Sequence, residues 1–263
     1  YNYDLVELTS EGLKNFMTSK AFKAVNVTLP YKQEVIHYLD EMSMAAKSIG
    51  AVNCVKNENG RLIGHNTDFD GLKALIEYMG LEIKDKWVLI LGTGGTSDTA
   101  KAVCEALGVA RVIKVSRTGK DGSITYEEAL EGGKAAEIII NTTPVGMYPN
   151  NYNQAINLEA FPNLEGVIDV VYNPLRTSLV SQALSLGIKA QGGLYMLVAQ
   201  AVYASEFFID CKYDKSIIEK VYKKLLREKT NIVLTGMPAC GKSTIGKILA
   251  ERLDREIIDI DRV

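Results

Sequence analysis

The order of apolar and polar positions changes period along this chain, and those changes outline its elements. Residues 3–8 read as a strand, and Ser10 suits the cap of a short helix carrying Leu13, Phe16 and Met17 on one face. Residues 24–28 read as a second strand, stopped by Pro30, which itself suits the first turn of a helix to about His37. A further helix is expected over 42–49. Residues 51–56 and 61–64 flank Asn57-Glu58-Asn59-Gly60 and predict a hairpin. Phe69, Leu72, Ile76 and Met79 recur at helical spacing, which predicts a helix over 68–79.

A continuous apolar run, Trp87-Val88-Leu89-Ile90-Leu91, then enters Gly92-Thr93-Gly94-Gly95-Thr96-Ser97 and a helical stretch over 99–107. Beyond it strands and helices alternate: strands over 111–115, 137–141, 166–171 and near Ile188, helices over 126–130 and 178–186. Alternation of this kind implies a parallel sheet covered on both faces. A long helix from Met196 to about Phe208 follows Gly192-Gly193, and a charged helix is expected over 215–228. Residues 231–235 predict one more strand.

Composition narrows the class. The 263 residues are 47% hydrophobic and 24% charged, the balance of a globular protein. A net charge of −2 gives no reason to expect nucleic acid or an anionic membrane as partner. No apolar run reaches the roughly 18 residues of a membrane helix. Cys54, Cys104, Cys211 and Cys240 form no Cys-x-x-Cys pair, which points to a reducing cytoplasm and away from a disulfide frame or zinc site. With only His37 and His65, a His-rich metal site is not expected. No secretory signal opens the chain, and a start at Tyr1 without Met leads us to expect residues upstream.

Two stretches carry phosphate chemistry. Strand, glycine turn and helix start make a cradle, because glycines admit a pyrophosphate to the backbone and the new helix presents free N–H groups. The pattern is Gly92-x-Gly94-x-x-Ser97, which lacks the last fingerprint glycine. The second stretch, Gly236-Met237-Pro238-Ala239-Cys240-Gly241-Lys242-Ser243-Thr244, is a complete P-loop in strand–loop–helix context. From Thr230 the chain has 34 residues, whereas a P-loop kinase needs a domain of about 100 or more, so the chain is expected to stop inside that domain. After the strand over 111–115, Ser116-Arg117-Thr118 stands where an acidic residue would accept the ribose hydroxyls of NAD. An arginine between two hydroxyls suits a 2′-phosphate instead. Taken alone, Lys32 reads as a solvated helix lysine and Asn66-Thr67-Asp68 as a helix cap.

In combination these pieces say more. Asn26-Val27-Thr28-x-Pro30-x-Lys32, Gly50-Ala51-Val52-Asn53, Gly64-x-Asn66-Thr67-Asp68 and the glycine loop occur in one order. Asn141-Thr142-Thr143-Pro144-Val145-Gly146-Met147, Asp169-Val170-Val171-Tyr172-Asn173-Pro174 and Gly193-x-x-Met196-Leu197-x-x-Gln200 extend the series. Over residues 1–208 the chain resembles the shikimate dehydrogenases, which reduce 3-dehydroshikimate to shikimate reversibly with NADPH. The resemblance implies Lys32 and Asp68 as the catalytic pair. It implies Thr28, Asn53, Tyr172 and Gln200 as substrate ligands, with Asn66 or Thr67 assisting. Gly92, Gly94, Gly95, Ser116, Arg117, Thr118, Thr142 and Gly193 would contact NADP(H). The chemistry agrees: hydride addition to a carbonyl carbon leaves an oxygen that needs positive charge and a proton, and a lysine ammonium oriented by a carboxylate supplies both. The chain departs from the family at Cys54, usually Thr, at Ser116, more often Asn, and at Thr93 and Thr96, usually Ala. By the resemblance, the serines that hold the substrate carboxylate in this family would be expected upstream of Tyr1.

The tail resembles the start of a shikimate kinase, in which Gly236, Gly241, Lys242, Ser243 and Thr244 would hold ATP, and Ser243 and Asp259 would hold Mg²⁺. The expected fold is α/β in three parts. A discontinuous substrate domain covers 1–67 and 193–229, a doubly wound Rossmann-like NADP domain covers 68–192, and an incomplete P-loop domain covers 230–263. Rival readings are an NAD-dependent quinate/shikimate dehydrogenase and a non-catalytic shikimate- or dinucleotide-binding regulator. Oligomeric state is left open, a homodimer included.

Overall fold

The computed structural model describes residues 3–214 and 216–258. The chain divides into two compact units, 1–223 and 224–263.

In the first unit, helix α1 (Ser10–Ser19) is capped by Thr9, whose hydroxyl accepts from Gly12 N, and it buries Leu13 and Met17. The cap is therefore one residue earlier than the sequence suggested. Strand β1 (Ala24–Asn26) leads into turns and a 3-10 helix, Glu34–Tyr38. Then come β2 (Glu41–Met42), α2 (Met44–Ile49), β3 (Cys54–Glu58), β4 (Arg61–His65) and α3 (Thr67–Tyr78). The four strands form one sheet in the order β1-β3-β4-β2. Between β3 and β4, Asn59 and Gly60 take φ of 54° and 89°, the left-handed pair that a tight hairpin requires. Leu13, Met17, Val27, Val35, Ala46, Val52, Val55 and Leu62 form the core beneath.

Two expectations fail here. Residues 3–8 form no ladder; Tyr3 Oη instead accepts from Asn26 Nδ2 (2.7 Å) and Leu8 O from Tyr31 Oη (2.6 Å). A strand needs a partner, and among the described residues none pairs with this segment. Nor is Lys32 on a helix. Val52 N donates to its carbonyl at 2.8 Å, and Ile36 N turns to Gln33 O, so regular structure begins only at Glu34.

The second sheet comprises β5 (Trp87–Leu91), β6 (Arg111–Val115), β7 (Ile138–Asn141), β8 (Gly166–Asp169) and β9 (Lys189–Gly192). Its order is β6-β5-β7-β8-β9 and every pairing is parallel. Between these strands lie α4 (Gly95–Ala106), α5 (Tyr126–Gly132) and α6 (Ser178–Ser185). Leu89, Leu91, Ile139 and Val167 pack with Ala129 of α5 and with Leu179 and Ala183 of α6. Val88, Ile90, Ile138, Ile140 and Ile168, one residue out of phase, are buried as well. Burial at both parities explains why these strands read as continuous apolar runs. The chain leaves β5 for β6 on one side and resumes at β7 on the other. That reversal is the switch point at which such sheets bind ligands.

Helix α7 (Leu194–Ile209) packs on α3, and α8 (Ser216–Lys229) follows. Gly71 permits the approach: a Cβ there would lie 2.8 Å from Met196 O. In the second unit α9 (Lys242–Leu253) follows the P-loop. Residues 231–235, expected as a strand, are exposed and unpaired among the described residues.

Candidate active site

The site begins with the entry of β4 into α3. Asn66 caps the helix: Oδ1 accepts from Asp68 N (3.1 Å) and Phe69 N (3.4 Å), and Nδ2 donates to Ala51 O (3.0 Å). Its Oδ1 and one Nδ2 hydrogen are thus committed to backbone. Asp68 lies in the first turn, where the helix dipole favours a carboxylate. Lys32 reaches it from the turn after β1, with Nζ 2.7 Å from Oδ2. The two side chains retain 28% and 22% of their exposure, so the pair is sheltered but accessible.

Beside it lies a buried polar group. Asn53 Oδ1 accepts from Thr67 N (2.8 Å), and its Nδ2 donates to Thr67 Oγ1 (3.1 Å). The Thr67 hydroxyl stands 3.5 Å from Gln200 Oε1 on α7. Cys54 Sγ donates to Asn26 Oδ1 at 3.2 Å, and burial pushes its thiol up to about 12, so it serves as a neutral donor. Asn53, Thr67 and Gln200 are thus brought together. Thr28 and Tyr172 are exposed, and no hydrogen bond among the described residues ties their side chains to this group.

On the neighbouring helix α4 the glycine loop forms an open cradle. Gly92 has φ +113°, and a Cβ there would lie 2.7 Å from Thr142 Oγ1, so glycine is demanded twice over. Gly94 caps α4 and Gly95 begins it, yet a Cβ on either would meet nothing within 4 Å. Open space above a helix N-terminus is what a pyrophosphate requires, so the dinucleotide fits here. Ser97, standing in for the missing glycine, is buried and donates from Oγ to Gly92 O (2.8 Å), which ties the loop to the helix. Thr142 Oγ1 donates to Leu91 O (2.7 Å), joining the ends of β5 and β7.

After β6, Ser116 Oγ lies 2.8 Å from Ser123 Oγ and accepts from Gly119 N (3.0 Å). It shapes a loop whose Arg117 and Thr118 are exposed. Gly193 caps α7, and a Cβ there would fall 2.1 Å from Val170 O. One residue given no role from sequence is Asp169, fully buried at the end of β8. It accepts from Asn141 Nδ2 (3.0 Å), Val171 N (3.0 Å) and Thr177 Oγ1 (2.7 Å), while burial pushes its carboxyl above the ordinary range. It fixes the strand ends that bear Thr142 and the 170–173 loop. A surface depression of about 440 Å³ lined by Asn151, Tyr152, Pro174, Arg176, Ser178 and Ser181 contains none of the candidate residues.

In the second unit, Lys242 Nζ donates to Gly236 O (2.9 Å) and Met237 O (2.8 Å), and Gly241 caps α9 with φ +87°. Ser243 and Thr244 are exposed in the first turn. Asp259 lies outside the described residues. Among the described residues no group of three or more His, Cys, Asp or Glu side chains could hold a metal ion.

A parallel sheet with a glycine cradle at its switch point, and a sheltered ammonium–carboxylate pair on a helix, α3, that packs against the cradle's helix α4, define the class: a two-sheet α/β protein of the nicotinamide-dinucleotide oxidoreductase type. Comparison with known proteins narrows it. The shikimate dehydrogenase substrate-binding-domain family matches residues 1–55, and the shikimate kinase family matches residues 238–263. A shikimate dehydrogenase (NADP(+)) of Clostridium beijerinckii is 37% identical over 235 residues, 84% of this chain and 85% of the relative. The crystal structure of shikimate dehydrogenase 1 from Peptoclostridium difficile aligns with a TM-score of 0.75 at 35% identity, over 86% of this chain and 87% of that one. The Thermus thermophilus enzyme, solved in complex with NADP(H) and shikimate, aligns with a TM-score of 0.69 at 31% identity, over 82% and 83%. The chain belongs to the shikimate dehydrogenase family.

Proposed function

We propose that this protein catalyses the reversible reduction of 3-dehydroshikimate to shikimate with NADPH, through Lys32 and Asp68. NADPH supplies the hydride to the carbonyl carbon. The Lys32 ammonium stabilises the charge that grows on the carbonyl oxygen and passes a proton to it, and the Asp68 carboxylate aims the ammonium. Lys32 then recovers its proton from water, so one hydride and one proton are consumed for each hydroxyl formed. Thr28, Asn53, Tyr172 and Gln200 hold the substrate, with Thr67 assisting. The glycine loop, Thr142 and Gly193 accommodate the dinucleotide, and Ser116, Arg117 and Thr118 its 2′-phosphate. In this reading 1–67 and 193–229 form the substrate domain and 68–192 the cofactor domain. The P-loop stretch belongs to a shikimate kinase domain that uses ATP, with Mg²⁺ held by Ser243 and Asp259 in its complete form.

One observation carries the reading: two charged groups 36 residues apart meet at 2.7 Å. The test is absorbance at the nicotinamide band after shikimate is added to the full-length chain with NADP⁺ or NAD⁺. Growth with NADP⁺ in clear preference to NAD⁺ is expected. No growth with either would overturn the activity, and a preference for NAD⁺ would overturn the role of Arg117.

A further inference from the structure

His65 is the last residue of β4, and both of its ring nitrogens are engaged. Nδ1 lies 2.7 Å from Ser43 Oγ and Nε2 lies 2.7 Å from Asp70 Oδ2. Ser43 caps α2, its Oγ accepting from Ala46 N, and its own N–H donates to Gly64 O. The His65 ring also packs against Phe207 of α7, with centroids 5.4 Å apart. One imidazole therefore ties together the start of α2, the end of β4, the first turn of α3 and the face of α7.

Its place relative to the helix cap gives this arrangement meaning. With Asn66 as cap, His65 precedes the cap by one residue and Asp70 is the fourth residue of α3. In many helices these two positions carry an apolar pair that fixes the direction in which the chain enters the helix. Here the pair is polar and directional. A carboxylate only accepts, so in the neutral ring Nε2 carries the hydrogen and Nδ1 accepts from the Ser43 hydroxyl. Between His65 and Asp70 lie Thr67, bonded to Asn53 and near Gln200, and Asp68, bonded to Lys32.

We propose that the Ser43–His65–Asp70 chain is a polar staple, and that His65 is a positioning residue for the reaction. It holds the first turn of α3 at the angle from which Asp68 reaches Lys32. His65 touches neither reacting group, so its loss acts through Asp68. The inference rests on the catalytic reading of Asp68 given above.

Kinetics on the full-length chain test it. Misplacing a catalytic group by a fraction of an ångström to about 1 Å costs roughly 10- to 100-fold in rate, so His65→Ala should lower kcat by that factor. Thr67 shares that turn, so KM for shikimate should rise as well, by up to about tenfold, whereas KM for NADP⁺, whose contacts lie on other elements, should hold within about twofold. His65→Gln, whose amide can donate to Asp70 and accept from Ser43, should restore most of kcat. A merely structural residue would not give this split and rescue. Unchanged kcat in His65→Ala, or no rescue by Gln, overturns the staple. If His65→Ala does not fold, Asp70→Ala takes its place with the same expected split. Asp68→Asn, assayed in parallel, separates the two ideas. An impaired Asp68→Asn beside an unimpaired His65→Ala sinks only the staple, and a normal Asp68→Asn sinks the catalytic pair and the staple with it. Nitrogen-15 spectra give a readout independent of turnover. The chain has two histidines, so His37→Gln leaves one imidazole to observe. The neutral ring should be the Nε2–H tautomer, and a dominant Nδ1–H form would overturn the bonding proposed.

Discussion

Gly71→Ala places a methyl group where α3 and α7 touch. A Cβ built at this position lies 2.8 Å from Met196 O, 3.0 Å from Gln200 Cβ and 3.2 Å from Gln200 N. Close carbon–oxygen contacts sit at about 3.3 Å or more, so the helices must part by roughly half an ångström. Two of the three neighbours are backbone atoms, and no side-chain rotation relieves them. Overpacking of this kind costs about 1–3 kcal/mol. Alanine returns about 1 kcal/mol through its better helix propensity. The net is a destabilisation of up to about 2 kcal/mol, which in a domain this large lowers Tm by up to roughly 8 °C. The catalytic consequence follows from Gln200, which is pushed directly. Its Oε1 stands 3.5 Å from the Thr67 hydroxyl, already at the limit of a hydrogen bond, and a further half ångström breaks the contact. KM for shikimate should rise by about tenfold, the equivalent of one lost hydrogen bond of ordinary net strength, while KM for NADP⁺ stays put. Calorimetry and initial-rate kinetics on the same preparation provide both numbers. A variant as stable as the parent with an unchanged KM for shikimate would refute the claim that Gly71 sets the α3–α7 spacing and that the spacing holds Gln200.

Other expectations concern separate parts of the molecule. Burial pushes the thiols of Cys54 and Cys104 up to about 12, so iodoacetamide near neutral pH should modify Cys240 and Cys211 and spare these two until the protein unfolds; peptide mass spectrometry reads the pattern, and labelling of native Cys54 would contradict it. Arg117→Gln should raise KM for NADP⁺ by about tenfold or more and leave NAD⁺ kinetics nearly unaltered, as removal of a charge-assisted phosphate contact requires; equal effects on both cofactors would show that Arg117 does not contact the 2′-phosphate. Asp169→Ala strands three buried donors, those of Asn141, Val171 and Thr177, and should destabilise the protein by about 2–4 kcal/mol in urea unfolding. A loss below about 1 kcal/mol would mean that the group relaxes or hydrates.

What could be read from the residues was mostly local. Asn59-Gly60 announces its own hairpin, the helix over Thr67–Tyr78 follows from its apolar spacing, and the glycine turn after Trp87–Leu91 foretells both cradle and helix. Two expected strands, 3–8 and 231–235, have the right composition, but a strand also needs a neighbour, and a neighbour is a non-local fact. Lys32 looked like a helix residue because Pro30 precedes it; the distant Val52 N–H takes its carbonyl and the helix does not form there. No spacing rule brings Lys32 to Asp68. The family resemblance named the pair, and the fold of β1, β3 and α3 makes the contact. The Ser43–His65–Asp70 chain was invisible for the same reason, since it depends on β2 lying beside β4.

The most direct test of the central claim is the turnover of Lys32→Ala and Asp68→Asn with shikimate and NADP⁺, with NADPH affinity measured by fluorescence on the same samples. If the ammonium and carboxylate perform the proton chemistry, turnover falls by about 10²- to 10⁴-fold in each variant while NADPH affinity is unchanged. Near-normal turnover in either variant would contradict the account.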